Sequence, residues 1–234
     1  MAWSRIVTDG EFESIAIVPT SGAEDEIWAV VKRTIDSSTV RYIEYFNKIN
    51  ITSIGNSYYV DSGVSYSSYS SHTLTLSHLA NEKIDIFGST PANELYVFKN
   101  VQLTSLGVGT ISITSPIKSD NDIEIVHAGL PYISYAQTMR METGSPFGSG
   151  MGLSKRGRGK LFVWVHETIG GEYGPDISIT EAVSYTSLSG LTTAMQEIDF
   201  PGDWNRDGYL WVIQQDPLPM TVVGYAPDVM VGDR

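Results

Sequence analysis

The sequence predicts an all-β protein, made of antiparallel β-sandwich and β-barrel modules. Three observations lead there. Apolar and polar residues alternate repeatedly, the period of a strand with one face on a core. Short runs of β-branched and aromatic residues stand between turn-forming residues. Serine, threonine, glycine and tyrosine fill much of the remainder, and they suit strands and turns better than helices. The alternation is plain at Ser14-Ile15-Ala16-Ile17, Thr73-Leu74-Thr75-Leu76, Lys83-Ile84-Asp85-Ile86, Thr110-Ile111-Ser112-Ile113 and Asp122-Ile123-Glu124-Ile125. Trp28-Ala29-Val30-Val31, Leu161 to Val165 and Tyr209 to Ile213 are continuous apolar runs, expected to be strands buried on both faces. Leu188 to Met195 is the one window with helix-forming character, and Gly190 weakens it.

In chain order, a blade-like meander opens the sequence, with strands expected near 4–8, 13–19, 26–34 and 39–46 and a hairpin turn at Asp36-Ser37-Ser38. Residues 52–122, rich in serine and tyrosine, read as an inserted small β-barrel or sandwich. A second β region follows from about 123 to 231. The main domain is therefore expected to combine 1–51 with 123–234 around the 52–122 insert. Loops are expected at 144–160 and 199–208, and the prolines from Asp216-Pro217-Leu218-Pro219 onward confine the tail to edges or turns. No repeat of fixed period is visible.

Composition narrows the function classes. With 41% hydrophobic residues in 234, the chain can bury a core. It contains no cysteine, which removes disulfide and thiolate-metal chemistry. There is no long apolar run for a membrane span and no signal-peptide core in the first residues, so synthesis and initial residence inside the cell are expected. The formal net charge of −12 opposes phosphate binding and sets the chain apart from ordinary nucleic-acid readers.

No catalytic, cofactor or metal constellation emerges. His72, His78, His127 and His166 lie in strand-like segments without ligand spacing and read as hydrogen-bonded structural histidines. No G-x-S-x-G elbow is present. Asp203-Trp204-Asn205-Arg206-Asp207-Gly208 opens like a calcium loop, but the twelfth position is Gln214 and a strand follows. It reads as a turn in which Asp203, Asn205 and Asp207 bond the backbone and Gly208 takes a positive φ. Acidic groups such as Glu24-Asp25-Glu26 sit at turns, and nothing marks a glycosidase pair. The densest positive patch is Lys155, Arg156, Arg158 and Lys160. It admits three readings: contact with DNA phosphates, contact with an acidic neighbouring subunit, or a solvated loop leading into the next strand. The nearby Gly144, Gly148, Gly150 and Gly152 lack a phosphate-loop pattern.

Several segments, taken in order, resemble a known family. They are Trp3 to Gly10, Ser14 to Pro19, Asp25 to Arg33, Arg41 to Glu44, Tyr59 to Gly63, Leu76 to Lys83, Val126 to Tyr132, Phe200 to Gly208, and Asp216 to Val222. Together they are similar to the tail nozzle, or tail tubular protein B, family of short-tailed bacteriophages. The likeness is to the C-terminal portion of longer members, and their upstream propeller is expected to be missing here. The resemblance implies a virion structural protein: a homo-oligomeric ring, typically a hexamer, around the DNA ejection channel. It would be assembled in the host cytoplasm beside an adaptor and tail fibres, without catalysis or cofactor. It also implies that Gly129 and Pro131 fix a turn and that Trp28, Trp164 and Trp211 pack the sheets. A negative channel wall would let the genome slide past without sequence-specific binding. The competing readings are a receptor-binding or host-surface adhesion module, presenting Tyr58, Tyr59, Tyr66 and Tyr69, and a tail-tip enzyme.

Overall fold

A computed structural model describes residues 5–22, 24–47, 51, 53–67, 73–110, 123–140, 144–145, 148–149, 155–183, 190–200 and 208–231, with backbone alone at 144–145, 148–149, 155–158 and 229–231. The protein is all-β, its ladders are antiparallel, and its helical content among the described residues is two 3-10 turns at Ile54–Asn56 and Ser77–Leu79. It folds as two compact units, 1–132 and 133–234.

The first unit begins with a meander, β1 (Glu11–Val18), β2 (Glu26–Ile35) and β3 (Ser38–Tyr45), forming one three-stranded sheet. The hairpin between β2 and β3 closes through Asp36 and Ser37, with φ of 47° and 61°. Positive φ at both loop residues is the two-residue turn whose twist matches the flanking strands. Residues 5–8 form no strand. Instead Thr8 Oγ1 and the Asp9 N–H both donate to Asp61 Oδ2, so these groups are satisfied by a side chain rather than a ladder.

Downstream, β4 (Asp61–Tyr66), β6 (Lys83–Ser89), β7 (Leu95–Gln102) and β9 (Ile125–Leu130) make a second sheet in the order β4-β9-β6-β7, and β5 (Thr73–Thr75) pairs with β8 (Val108–Thr110). The core here gathers Leu74, Leu76, Leu79, Ile84, Ile86, Leu103, Ile123, Val126 and Leu130 together with Ile35 from β2. This corrects the expected boundaries. β9 lies between β4 and β6, so residues 123–132 complete the sheet of the segment before them. The 52–122 segment is not an insert closed on itself, and 1–51 belongs with it rather than with 133–234.

The second unit holds β10 (Ser134–Gln137), β17 (Trp211–Gln214), β14 (Glu172–Asp176) and β15 (Ile179–Ala182) in the order β10-β17-β14-β15. A three-stranded sheet places β13 (Lys155–Thr168) between β16 (Thr192–Asp199) and β18 (Val222–Val231). β11 (Gly144–Ser145) and β12 (Gly148–Ser149) form a small hairpin ladder. Leu161, Val163, Val165, Tyr173, Ile198, Phe200 and Leu210 make this unit's core.

The first two continuous apolar runs are buried on one face, not two, whereas the third has buried residues of both parities, Leu210 and Ile213. In β2 the buried positions are Ala29, Val31, Arg33 and Ile35, and the intervening Trp28 and Val30 are half-buried. In β13, Leu161, Val163 and Val165 are buried while Trp164 is 54% exposed. A small antiparallel sheet covers only one of its faces with its own core, so half of each of these two runs is left outward. The window around Leu188–Met195 is not helical at its described end: Thr192–Asp199 is strand β16.

Candidate assembly surface

The N-terminal sheet is anchored at one end and bare at the other. Its anchor is Arg33, with a side chain fully buried. Arg33 occupies a core-facing position of β2, where the alternation would otherwise place an aliphatic residue. Its Nε and Nη2 donate to the Glu44 carboxylate of β3 at 2.9 and 2.7 Å. Nη1 and Nη2 donate to Asp61 of β4 at 2.9 and 2.8 Å, and Nη1 also reaches the Asp9 carbonyl. Ser62 Oγ adds a bond to Glu44. One planar guanidinium thus joins four chain segments through the forked geometry that lysine lacks. Burial alone would raise the Asp61 pKa, but the Arg33 hydrogen bonds, the Asp9 N–H, the Arg33 charge and Thr8 outweigh it and hold the carboxyl below its usual value. Burial likewise opposes the charge on Arg33, and its two carboxylate partners more than restore it. Beside this cluster Ile35, Val40 and Tyr42 pack onto the core, and the Tyr42 hydroxyl donates to the His78 carbonyl.

Toward the other end the cover runs out. Every residue of β1 is exposed, although Phe12, Ile15, Ala16, Ile17 and Val18 are apolar. The register places Ile17 opposite Ile27 on one face, and Ala16, Trp28 and Tyr45 in a row on the other. Ile15 is 62%, Ile17 68% and Ile43 73% exposed. A sheet end apolar on both faces and bare on both is the mark of an interaction site rather than of a finished surface. The outer edges of β1 and β3 pair with no other strand among the described residues.

The second unit carries a smaller patch. Trp164 stands across from Met195 on β16 and Gly224 on β18, and a Cβ built on Gly224 would meet nothing. Trp164 and Met195 are both exposed. Trp164 therefore does not pack the sheets as the resemblance implied. Trp28 and Trp211 are half-buried and pack on Tyr45 and Tyr135.

The candidate residues fall in several places. Lys155, Arg156 and Arg158 lie in β13, where the ladder pairs Lys155 with Val231 and Arg156 with Met230, so they are strand residues rather than loop residues; their side chains are outside the described set. Lys160 is held by Asp199 at 2.8 Å and Glu197 at 3.0 Å within its own sheet. Gly129 is not at a turn. It lies inside β9, where a Cβ would sit 2.6 Å from the Asp61 carbonyl oxygen and 2.8 Å from Gly63 Cα. The requirement is close strand approach rather than φ. Pro131 follows the last residue of β9. Asp203, Asn205 and Asp207 lie outside the described residues, and Gly208 has φ of 58°.

His127 is the most enclosed of the histidines described. Its Nε2 stands 2.8 Å from the Gly55 carbonyl, which can only accept, so Nε2 carries the proton and Nδ1 accepts from Ser65 Oγ at 2.6 Å. Tyr58 stacks on the ring at 3.6 Å, and its hydroxyl stands 3.1 Å from Ser65 Oγ. Burial pushes the His127 pKa down, with the Gly55 bond opposing. His78 Nε2 reaches the Ser62 carbonyl, and His166 lies beside Thr193; His72 is outside the described residues. Tyr58, Tyr59 and Tyr66 are half-buried, and the Tyr66 hydroxyl is spent on the Thr75 carbonyl; Tyr69 is outside the described residues. The tyrosines offered for an adhesive face are thus built into the fold where they are described. Among the described residues no three His, Asp or Glu side chains converge to hold a metal, and no helix is long and apolar enough to cross a membrane.

No protein-family model matches the chain, and no curated protein matches it at a significant level. Sequence reasoning missed the anchor, Arg33. The signal available was a charged residue at a core-facing step of an otherwise apolar strand, Ala29-Val31-Arg33-Ile35.

Proposed function

We propose that this chain is a structural subunit of a bacteriophage tail, nozzle-like, which assembles with copies of itself into a ring around the DNA ejection channel. The observation that carries the assembly part is the bare apolar end of the β1-β2-β3 sheet, exposed on both faces and along both edges. A monomer keeping Ile15, Ile17 and Ile43 in water gains nothing from them, whereas a subunit buries them against its neighbour. The tail role comes from the resemblance of the ordered segments from Trp3 to Val222. On this reading the ring belongs to the virion, is assembled in the host cytoplasm, and meets an adaptor and tail fibres. The acidic charge keeps its wall from gripping the genome. Lys160, neutralised by Asp199 and Glu197, is poorly placed to bind DNA phosphates.

Electron microscopy of the purified chain, with light scattering across a concentration series, tests the proposal. Closed rings of uniform size are expected. A chain that stays monomeric at every concentration would sink it.

A further inference from the structure

We infer that the neighbour in the ring is engaged edge to edge: β1 of one copy pairs with β3 of the next, so that the three-stranded sheets join across subunits. This rests on the homo-oligomeric ring reading and names the strands that build it.

Both strands are eight residues long, and both are edges of the same sheet. Their outward backbone groups have no ladder partner among the described residues, which leaves a template for another chain. The devices that usually blunt an edge are sparse on β1. It carries no lysine and no proline, and its irregularity between Phe12 and Ser14 leaves Ser14 to Val18 as a regular stretch.

Symmetry and charge select the occupant. β1 carries Glu11 and Glu13, whereas the outward charge of β3 is Arg41, with a side chain 58% exposed; the other charge of β3, Glu44, is turned inward onto Arg33. Two like edges joined in one sheet, β1 to β1 or β3 to β3, are related by a two-fold axis and stop at a dimer, whereas a ring needs two unlike edges. The mixed pair also joins the strand carrying Glu11 and Glu13 to the strand carrying the outward Arg41, and opposite charges side by side in a sheet are favourable. Both β1 and β3 run antiparallel to β2, so they run parallel to each other. A head-to-tail ring whose axis lies along the strands keeps that direction and closes by a heterologous contact.

Side-chain parity fixes the register. On the face that carries Trp28, β1 presents Ser14, Ala16 and Val18, and β3 presents Arg41, Ile43 and Tyr45. Setting Ser14 of one copy beside Arg41 of the next brings Ala16 to Ile43 and Val18 to Tyr45. Arg41, which already holds Glu13 of its own chain at 2.7 Å, then has the neighbour's Glu13 on its other side. On the opposite face Ile15 comes beside Tyr42.

The absence of cysteine makes a clean test. In the double variant A16C/I43C the two positions lie on opposite sides of β2 in one chain, two strand spacings or about 10 Å apart. That exceeds the Cα separation of about 7 Å that a disulfide spans, so a bond forms only between copies. Under mild oxidation the double variant is expected to give a ladder of linked multimers on non-reducing gels, and each single variant to stay unlinked. Linked dimers from A16C alone would show β1 against β1 and overturn the inference. An unlinked double variant that native mass spectrometry shows to be multimeric would overturn it while leaving the ring standing. A chain monomeric throughout would end both. Should the double variant fail to fold, hydrogen exchange on the unaltered chain decides. Amides of Ser14–Val18 and Ser38–Tyr45 should slow together as assembly proceeds, and unchanged exchange in either strand would overturn the pairing.

Discussion

β1 and β6 carry nearly the same alternation, Ser14-Ile15-Ala16-Ile17 and Lys83-Ile84-Asp85-Ile86, yet they end in opposite surroundings. Each residue of β1 is exposed, whereas β6 is buried from Ile84 to Ser89. β6 lies between β7 and β9 in the four-stranded sheet, with core on one side and packed neighbours on the other. β1 lies at the rim of a three-stranded sheet whose described cover is concentrated toward the far end. The alternation therefore specifies a strand, but what a strand faces is decided by its neighbours in space. Even Asp85, a polar step in β6, is buried, its carboxylate accepting the Asn100 N–H. In β1 the apolar steps stay in water.

Substitutions separate the two strands sharply. Ile86→Ala, at a fully buried site, should cost about 2–5 kcal/mol in urea unfolding, while Ile17→Ala should stay within about 0.5 kcal/mol for the monomer and act instead on assembly. Equal costs would mean that β1 is covered within the single chain. Next in size is the anchor. Arg33→Ala leaves Glu44 and Asp61 facing each other without their cation and should cost about 3 kcal/mol, toward the lower end for a buried pair because both carboxylates keep some solvent. Recovery of stability in the triple variant R33M/E44Q/D61N would show the charges to be a matter of specificity rather than strength.

Acid should weaken the fold in two steps. The His127 pKa is depressed in the folded state, so the unfolded chain takes the proton first, and stability declines as pH falls below the usual imidazole value of 6.5. Asp61 is depressed too. Its contribution is complete above the usual aspartate value of 3.8 and is lost as pH drops through the lower folded value. His127→Gln should remove the first step and Asp61→Asn the second in denaturation midpoints followed from pH 7 downward. A profile unchanged by both would show that neither interaction forms. The smallest effect is expected in the second unit. Trp164→Ala removes an exposed cross-strand pair with Met195 and should cost roughly 0.2–1 kcal/mol, with a clear loss of solvent-quenchable tryptophan fluorescence.

Most strands were legible because alternation is a local property. The hairpin at Asp36-Ser37 was legible for the same reason, since two small polar residues tolerate the positive φ that the turn imposes. The grouping of strands was not. β9 is separated from β4 by a long stretch of chain, and nothing in Ile125–Leu130 announces that it divides β4 from β6. Gly129 was visible as a glycine with a purpose, but its purpose is the nearness of the Asp61 and Gly63 backbones across that pairing rather than a bend in its own.

The sequence by itself determined the all-β class, the antiparallel meander at its start and the acidic, cysteine-free composition, because each follows from neighbouring residues or from simple counts. Only the tertiary structure decided that Arg33 clamps Glu44 and Asp61, that 123–132 joins the first unit, and that β1 is left bare while β6 is enclosed. Those outcomes depend on which segments meet across long stretches of chain, and burial is a property of that meeting, not of either segment alone.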